Sequence, residues 1–249
     1  MIRFRQVFLN AHVILPVIHV SSLSQALRNT DLAREHGADG VFLINHSMHS
    51  PELLNIHTAV VDANPDWWVG VNCLGLSTRE VFTRVSMKVS GVWTDNAMID
   101  EDEIDQAPAE SVLETIKKTE WPGLYFGGVA FKYQEPVNDL SMAAKTASRY
   151  MDVVTTSGPG TGKAAGIDKI RAMKDAMGDF PLAIASGITP DNVTDYLPCS
   201  DCYLVATGIS RSFEELDPKL LKSLVDRVRE YDGMTPVNHN SDHSAKSRG

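Results

Sequence analysis

Cysteine is scarce in this chain, with three residues in 249: Cys73, Cys199 and Cys202. A chain of this size can bury a large core without disulfides, and an odd number cannot all pair internally. Cys199 and Cys202 form a C-x-x-C pair, but no second Cys or His pair accompanies it, as a structural zinc site would require. The pair leads into an apolar run, whereas a redox motif opens a helix. We therefore predict three buried thiols that act as small apolar side chains.

Long apolar runs and an excess of positive charge are also missing. No apolar stretch approaches the ~20 residues needed to cross a bilayer, and the N-terminal residues lack the apolar region of a secretion signal. The formal net charge of -9 disfavours nucleic acid, because binding its phosphate backbone needs clustered cations. We predict a cytoplasmic protein with neither a membrane span nor a nucleic-acid partner. A small phosphorylated ligand is still compatible, since a few local donors can bind it.

A glycine-rich segment at 155–166, TTSGPGTGKAAG, superficially fits a nucleotide-binding loop. The Walker pattern is G-x-x-x-x-G-K-[ST], in which the last hydroxyl binds magnesium. Here Ser157 replaces the first glycine, and Ala164 replaces the hydroxyl residue. The segment therefore does not predict a nucleoside triphosphatase, and its glycines need another explanation.

Eight short apolar runs recur along the chain, each followed by polar or glycine residues and then a helical pattern. Near-continuous apolar runs are typical of strands buried on both faces, and the spacing fits strand-plus-helix units. Helix starts are indicated by Ser77 with Glu80, by Ser50 before Pro51 and by Asp217 before its proline. The runs are VILPVIHV (13–20), GVFLIN (40–45), WWVGVNC (67–73), GVWTDN (91–96), LYFGGVAF (124–131), MDVVTT (151–156), PLAIAS (181–186) and CYLVAT (202–207).

These runs predict a single α/β domain, a (β/α)8 TIM barrel with eight parallel strands, over residues 1–233. We expect residues 1–11 to form a short helix that closes the barrel floor. The polar, aperiodic residues 234–249 are predicted to be a flexible tail.

The active site of such a barrel lies at the C-terminal ends of its strands and in the loops that follow. Loops after strands seven and eight frequently form a phosphate site there, in which glycine amides and hydroxyls approach the anion. The alternative is that Gly187 and Gly208 only make tight turns between strand and helix, and that Lys163 is an exposed loop lysine. The predicted ligand or phosphate-binding residues are Thr155, Gly158, Thr161, Gly162, Ser186, Gly187, Thr207 and Gly208, and the other rim residues are His19, Asn45 and His46.

Catalytic chemistry is predicted for Asp95, Lys132 and Asn72, which follow the strands at the centre of the sequence. Asp95 and Lys132 could act as an acid/base pair. Lys132 could instead form a Schiff base with a carbonyl substrate, or the two could make a purely structural ion pair. His19, His46 and Asp95 could also bind zinc or manganese, but no tight motif supports this, and we predict no metal and no cofactor.

Several of these segments, in this order, resemble the BtpA family within the ribulose-phosphate-binding barrel superfamily. They are GVNCLG, WTDNAMID, AFKY, DVVTTSGPGTG, IASGITPDNV and LVATGISR, and the resemblance covers about residues 13–231. The resemblance assigns family positions to Asn72, Thr94, Asp95, Lys132 and residues 155–162. The chain departs from the family in two places. It has HVSSLSQ where a proline-rich loop is common, and it has Thr207 followed by Gly208 where family members tend to have Gly followed by Thr.

The combined expectation is a BtpA-like enzyme that acts on a phosphorylated small molecule by lyase, aldolase or isomerase chemistry. The resemblance also implies an alternative, a non-catalytic ligand-binding or membrane-complex biogenesis factor, because BtpA-like proteins are associated with that role. A lesser alternative is phosphoribosyltransferase-like activity. Barrel enzymes often associate, so a homo-oligomer is a further expectation.

Overall fold

Eight parallel strands close into one barrel in the computed structural model of the chain, which describes residues 2–234. Every strand pairs with its neighbours in sequence order, and β8 closes on β1. The predicted (β/α)8 TIM barrel is thus confirmed. In chain order the elements are α1 Arg3–Val7, β1 Val13–Val20, α2 Leu23–Glu35, β2 Gly40–Asn45, α3 Ser50–Ala63, β3 Trp68–Asn72, α4 Thr78–Val81, β4 Gly91–Thr94, α5 Ala107–Thr119, β5 Leu124–Gly128, α6 Leu140–Ala147, β6 Val153–Ser157, α7 Ile167–Met177, β7 Leu182–Ala185, α8 Val193–Tyr196, β8 Cys202–Val205 and α9 Pro218–Met234.

All eight strands lie within or beside the apolar runs, and β1 and β2 have the predicted bounds. The largest difference is in β5, which ends at Gly128 although the apolar run continues to residue 131. The chain leaves the sheet there because Ala130 adopts a left-handed conformation with φ of 47°. This turn starts the loop that carries Lys132, so it helps to place a predicted catalytic residue.

Aromatic side chains fill the barrel interior. Phe42, Phe126 and Trp68 make edge-to-face contacts at 5.0 to 5.9 Å between ring centroids. Phe4 and Phe8 of the α1 region pack against these rings. Burying a side chain of this size stabilises the fold by about 1.5–3 kcal/mol. The interior is therefore a packed core, and α1 is attached to it.

Two of the predicted helix caps occur as expected, and one does not. The Ser77 hydroxyl accepts a hydrogen bond from the Glu80 amide at 3.3 Å, and Asp217 accepts one from the Lys219 amide at 2.8 Å. Ser50 instead lies inside α3, whose N-cap residue is His49. The helix thus begins one residue earlier than its proline indicates.

The three cysteines are free and buried, as predicted. Burial raises the pKa of each thiol, that of Cys73 to about 12. Within residues 2–234, no helix is long and apolar enough to cross a membrane. The predicted tail, from residue 235 onward, lies outside the described residues.

Candidate active site

A cavity of about 370 Å³ opens at the C-terminal end of the barrel. Its volume falls in the range typical of small-molecule sites. Its floor is apolar and comes from strand residues, whereas the polar groups come from the strand ends and the loops. The predicted rim residues that line it are His19, His46, Asp95, Lys132, Thr161, Gly162, Ser186 and Thr207.

Other predicted residues lie beside this cavity without lining it. Asn45 connects two rim loops, because its amide donates to the Met48 carbonyl at 2.9 Å and accepts from the Leu74 amide at 3.0 Å. Thr155 is fully buried. Asn72 contacts the site through Asp95 and lines an adjoining cavity of about 340 Å³. These side chains belong to the structure around the rim but do not line the cavity.

Close backbone packing explains three of the predicted glycines. A Cβ atom at Gly158 would lie 2.1 Å from the Lys163 carbonyl oxygen, and one at Gly187 would lie 2.1 Å from the Ala164 amide nitrogen. At Gly208 the distance to the Ile188 carbonyl oxygen would be 1.9 Å. At Gly158 and Gly187 the loop after β6 packs against the ends of β6 and β7, and at Gly208 the loops after β7 and β8 meet, so only glycine leaves room at these positions.

Two hydroxyls face the cavity near this glycine-lined corner. Neither the Ser186 nor the Thr207 hydroxyl has a hydrogen-bond partner among residues 2–234. Gly162 lies next to Thr207, since a Cβ atom there would be 3.5 Å from the Thr207 hydroxyl. Ser186 is held with φ of 92°, a conformation that costs a non-glycine residue about 1–3 kcal/mol. Strain of this kind tends to occur where a side chain must be aimed at a ligand.

Asp95 follows β4 and lines both this cavity and the adjoining one that Asn72 lines. Its Oδ1 accepts a hydrogen bond from the Asn72 amide at 2.9 Å. Burial raises the pKa of Asp95 above its usual value, while Asn72, Lys132 and His46 act in the opposite direction. A carboxyl group in this environment changes its protonation state closer to neutral pH than a free one, as acid/base catalysis requires.

Lys132 approaches the same space from the loop after β5. Its Nζ donates to the Thr161 hydroxyl at 3.3 Å. Within residues 2–234 it makes no direct ion pair with Asp95, yet its charge lowers the pKa of that carboxyl group. Asp95 and Lys132 therefore do not form the structural ion pair that was one of the alternatives from the sequence.

The two rim histidines form an aromatic cluster with Phe213, a residue of the loop after β8. Phe213 stacks on His19 with 4.0 Å between ring centroids, and the His46 ring lies edge-on to His19 at 4.9 Å. His19 Nδ1 donates to the Phe213 carbonyl at 2.8 Å, so Nε2 is the acceptor when the ring is neutral. Burial lowers the pKa of both His19 and His46. Both rings are therefore biased toward the neutral form.

Two further residues hold the Lys132 loop in place. Lys169 of α7 donates to the Ala130 carbonyl at 2.5 Å and to the Ser157 carbonyl at 2.8 Å. Gln134 donates to the Asp95 carbonyl at 2.6 Å. Burial lowers the pKa of Lys169 to about 8. These contacts connect the loops after β4, β5 and β6, so they determine where Lys132 lies relative to Asp95.

Sequence reasoning missed Lys169 for one reason, and Phe213, Tyr133 and Gln134 for another. Lys169 lies within a helix pattern, where a lysine normally indicates an exposed face. Phe213, Tyr133 and Gln134 lie in loops that lack a periodic pattern. The position of Tyr133 and Gln134 directly after a predicted catalytic lysine was the one available signal.

A metal centre would need three or more suitable side chains close together. Among residues 2–234, no such group of His, Cys, Asp or Glu occurs. His19, His46 and Asp95 are near one another, but they do not form a metal-binding set.

Solved structures of other proteins share this fold. No protein-family model matches the sequence, and no curated protein sequence matches it. N-(5'-phosphoribosyl)anthranilate isomerase from Pyrococcus furiosus aligns with a TM-score of 0.61 and 16% identity, over 88% of this chain and 100% of that chain. A native KDPGal structure aligns with a TM-score of 0.65 and 15% identity, over 89% and 96% of the two chains.

A third similar structure is (S)-3-O-geranylgeranylglyceryl phosphate synthase from Thermoplasma acidophilum with its substrate sn-glycerol-1-phosphate. Its TM-score is 0.64 at 16% identity, over 91% of this chain and 96% of that chain. These neighbours are TIM barrels, as this chain is. Identities this low establish the fold, and the activity has to be argued from the site.

Proposed function

We propose that this protein is an enzyme that acts on a phosphorylated small molecule at the C-terminal rim of the barrel. The observation that carries the proposal is that Ser186 and Thr207, two hydroxyl residues without a hydrogen-bond partner among residues 2–234, line the same cavity, with Gly162 next to Thr207. Hydroxyls without a protein partner can donate to an anion, and the glycine leaves room for the anion to approach. Structural neighbours named for phosphorylated compounds support the same ligand class.

The phosphate would bind between the loops after β6, β7 and β8. Lys132 comes from the loop after β5 and reaches the edge of this corner, since its Nζ donates to the hydroxyl of Thr161, the residue before Gly162. One phosphorylated compound could then reach both the hydroxyl corner and the ionisable side chains. The net charge of -9 belongs to the whole chain. It does not exclude phosphate binding, because binding depends on the charges close to the cavity.

Proton transfer is the chemistry that the ionisable residues support. Asp95, with its raised pKa, would take or give the proton, while the Asn72 amide keeps its carboxyl group in one orientation. Lys132 would stabilise negative charge that develops on a substrate oxygen. A neutral His46 could relay the proton. This set fits an isomerase or a lyase, and a Schiff base on Lys132 would make the lyase an aldolase.

Membership of the BtpA family, a cytoplasmic location and a homo-oligomeric state accompany this proposal as predictions from the sequence. The proposed catalytic set also separates the enzyme from the assembly factor. An enzyme loses turnover when Asp95 or Lys132 is replaced, whereas an assembly factor depends on the outer helix surfaces.

A thermal-shift comparison of ribose 5-phosphate with ribose tests the proposal. Ligand at ~100 times its dissociation constant stabilises the fold by about 2.7 kcal/mol, which a melting curve resolves. We expect stabilisation by the phosphorylated sugar alone, and a smaller effect in Ser186→Ala and Thr207→Val. Thr58→Val is the matched control, because this exposed hydroxyl donates within α3 and lies outside the cavity. An equal response to both sugars, or an equal response in all variants, would contradict the proposal.

A further inference from the structure

Two aromatic side chains at the mouth of the cavity have no role in the proposed chemistry. Tyr133 follows β5 and is 82% exposed, and Phe213 follows β8 and is 53% exposed. Both line the cavity. Singly exposed apolar residues are ordinary, but two exposed rings that line one cavity offer a bound ligand a contact surface.

The two rings approach the cavity from opposite sides. In the closed barrel, β5 lies across from β1, and Phe213 stacks on His19 of β1. The wall at β1 and β2 is therefore aromatic, because His46 lies edge-on to both His19 and Phe213. Tyr133, in the loop after β5, lines the cavity on the other side of the mouth.

The backbone of Tyr133 shows that its position is enforced. Its φ is 66°, and a bulky residue in the left-handed region is a clear outlier. An exposed ring contributes little to the core, so nothing in its own packing offsets that strain. Strained residues of this kind cluster where a ligand is bound.

The floor between these walls is apolar. Val17, Ile44, Trp93 and Leu204 line it, and each is at most 5% exposed. Against these four side chains, a sugar hydroxyl would lose hydrogen bonds to water and could regain one only at Trp93 Nε1, a buried donor without a partner among residues 2–234. A flat apolar body, in contrast, would cover the floor and contact rings on both sides.

We propose that the ligand is a phosphate ester of a flat aromatic or heteroaromatic compound, whose ring binds between Tyr133 and the wall formed by Phe213 and His19. The inference rests on the proposed phosphate-binding function and specifies its substrate class. The ring occupies the apolar centre of the cavity, and the phosphate lies at Ser186 and Thr207. This arrangement brings Asp95 and Lys132 beside the bonds that join the two parts.

Titration calorimetry with three probes tests this inference: inorganic phosphate, cyclohexyl phosphate and 1-naphthyl phosphate. We expect naphthyl phosphate to bind at least tenfold more tightly than inorganic phosphate and more tightly than the non-aromatic ester. Because an aromatic contact contributes beyond its buried area, each of Tyr133→Ala and Phe213→Leu should reduce the naphthyl advantage about two- to tenfold. Tyr133→Phe keeps the ring and should retain the advantage.

Ile104→Ala is the matched control, since this exposed apolar side chain lies on the loop after β4 and outside the cavity. If inorganic phosphate binds and naphthyl phosphate binds no better, the aromatic site is refuted while the proposed function stands. If naphthyl phosphate binds well but both ring variants retain its advantage, the ring contacts are refuted. If no probe binds, the phosphate-binding function fails, and the inference fails with it.

Discussion

Replacing Ser186 by glycine should stabilise the fold and weaken phosphate binding at the same time. The strain at φ of 92° is worth about 1–3 kcal/mol. The greater freedom of glycine in the unfolded chain costs about 0.5–1 kcal/mol. A net gain of about 1 kcal/mol should raise Tm by about 2–4 °C in a chain of this size.

The lost hydroxyl acts in the other direction on binding. A hydrogen bond to a charged acceptor contributes about 1.5–3 kcal/mol, so the affinity for inorganic phosphate should fall roughly ten- to hundredfold. Calorimetric titration measures the affinity, and differential scanning calorimetry measures Tm.

Two controls separate the strain from the hydroxyl. Ser186→Ala removes the hydroxyl but keeps the strain, so it should lose affinity without gaining Tm. Glu120→Gly relieves a left-handed residue with φ of 53° at the end of α5, so it should gain Tm and keep its affinity. A Ser186→Gly protein with a lowered Tm or with undiminished phosphate affinity would refute the reasoning.

Three other outcomes follow from particular residues. Lys169→Met should release the loop that carries Lys132 and so raise the pKa of Asp95, which the Lys132 charge lowers; a carbon-13 titration measures this pKa. Lys174→Met is the control, because Lys174 lies on the same helix but pairs with Asp201. It should lower stability and leave the pKa of Asp95 unchanged. Burial lowers the pKa of His57 from 6.5, so the unfolded chain binds a proton below pH 6.5 that the folded chain does not. The free energy of unfolding should therefore fall as the pH drops below 6.5, and urea titrations should show a shallower fall in His57→Gln. Cys73 should resist iodoacetamide at pH 8 in the native protein and react in denaturant, because burial raises its pKa to about 12; rapid native alkylation would contradict the buried environment.

The barrel could be predicted from the sequence because its signal is local and repeated. Runs such as VILPVIHV have the length and composition of a buried strand, and β1 occupies the same residues. The rule that places the site at the strand ends then brought His19, Asp95 and Lys132 to one rim without any structural information.

The parts that the sequence did not predict depend on loop geometry. Gly187 matches a phosphate-loop pattern, yet its Cβ space is filled by the backbone at Ala164, a contact that crosses between two loops. Phe213 lies at the rim in a loop that contacts α2, where the Asn29 amide donates to the Glu214 carbonyl at 2.9 Å. Such contacts join residues far apart in the chain, and no periodic pattern encodes them.

The position of an oxyanion in a crystal tests the central claim most directly. Soaking crystals of the protein with tungstate, a heavy and easily located analogue of phosphate, would show where the rim binds an anion. We expect tungstate within hydrogen-bonding distance of the Ser186 and Thr207 hydroxyls, beside Gly162. Tungstate bound only elsewhere, or no bound tungstate at millimolar concentration, would contradict a phosphate site at this rim.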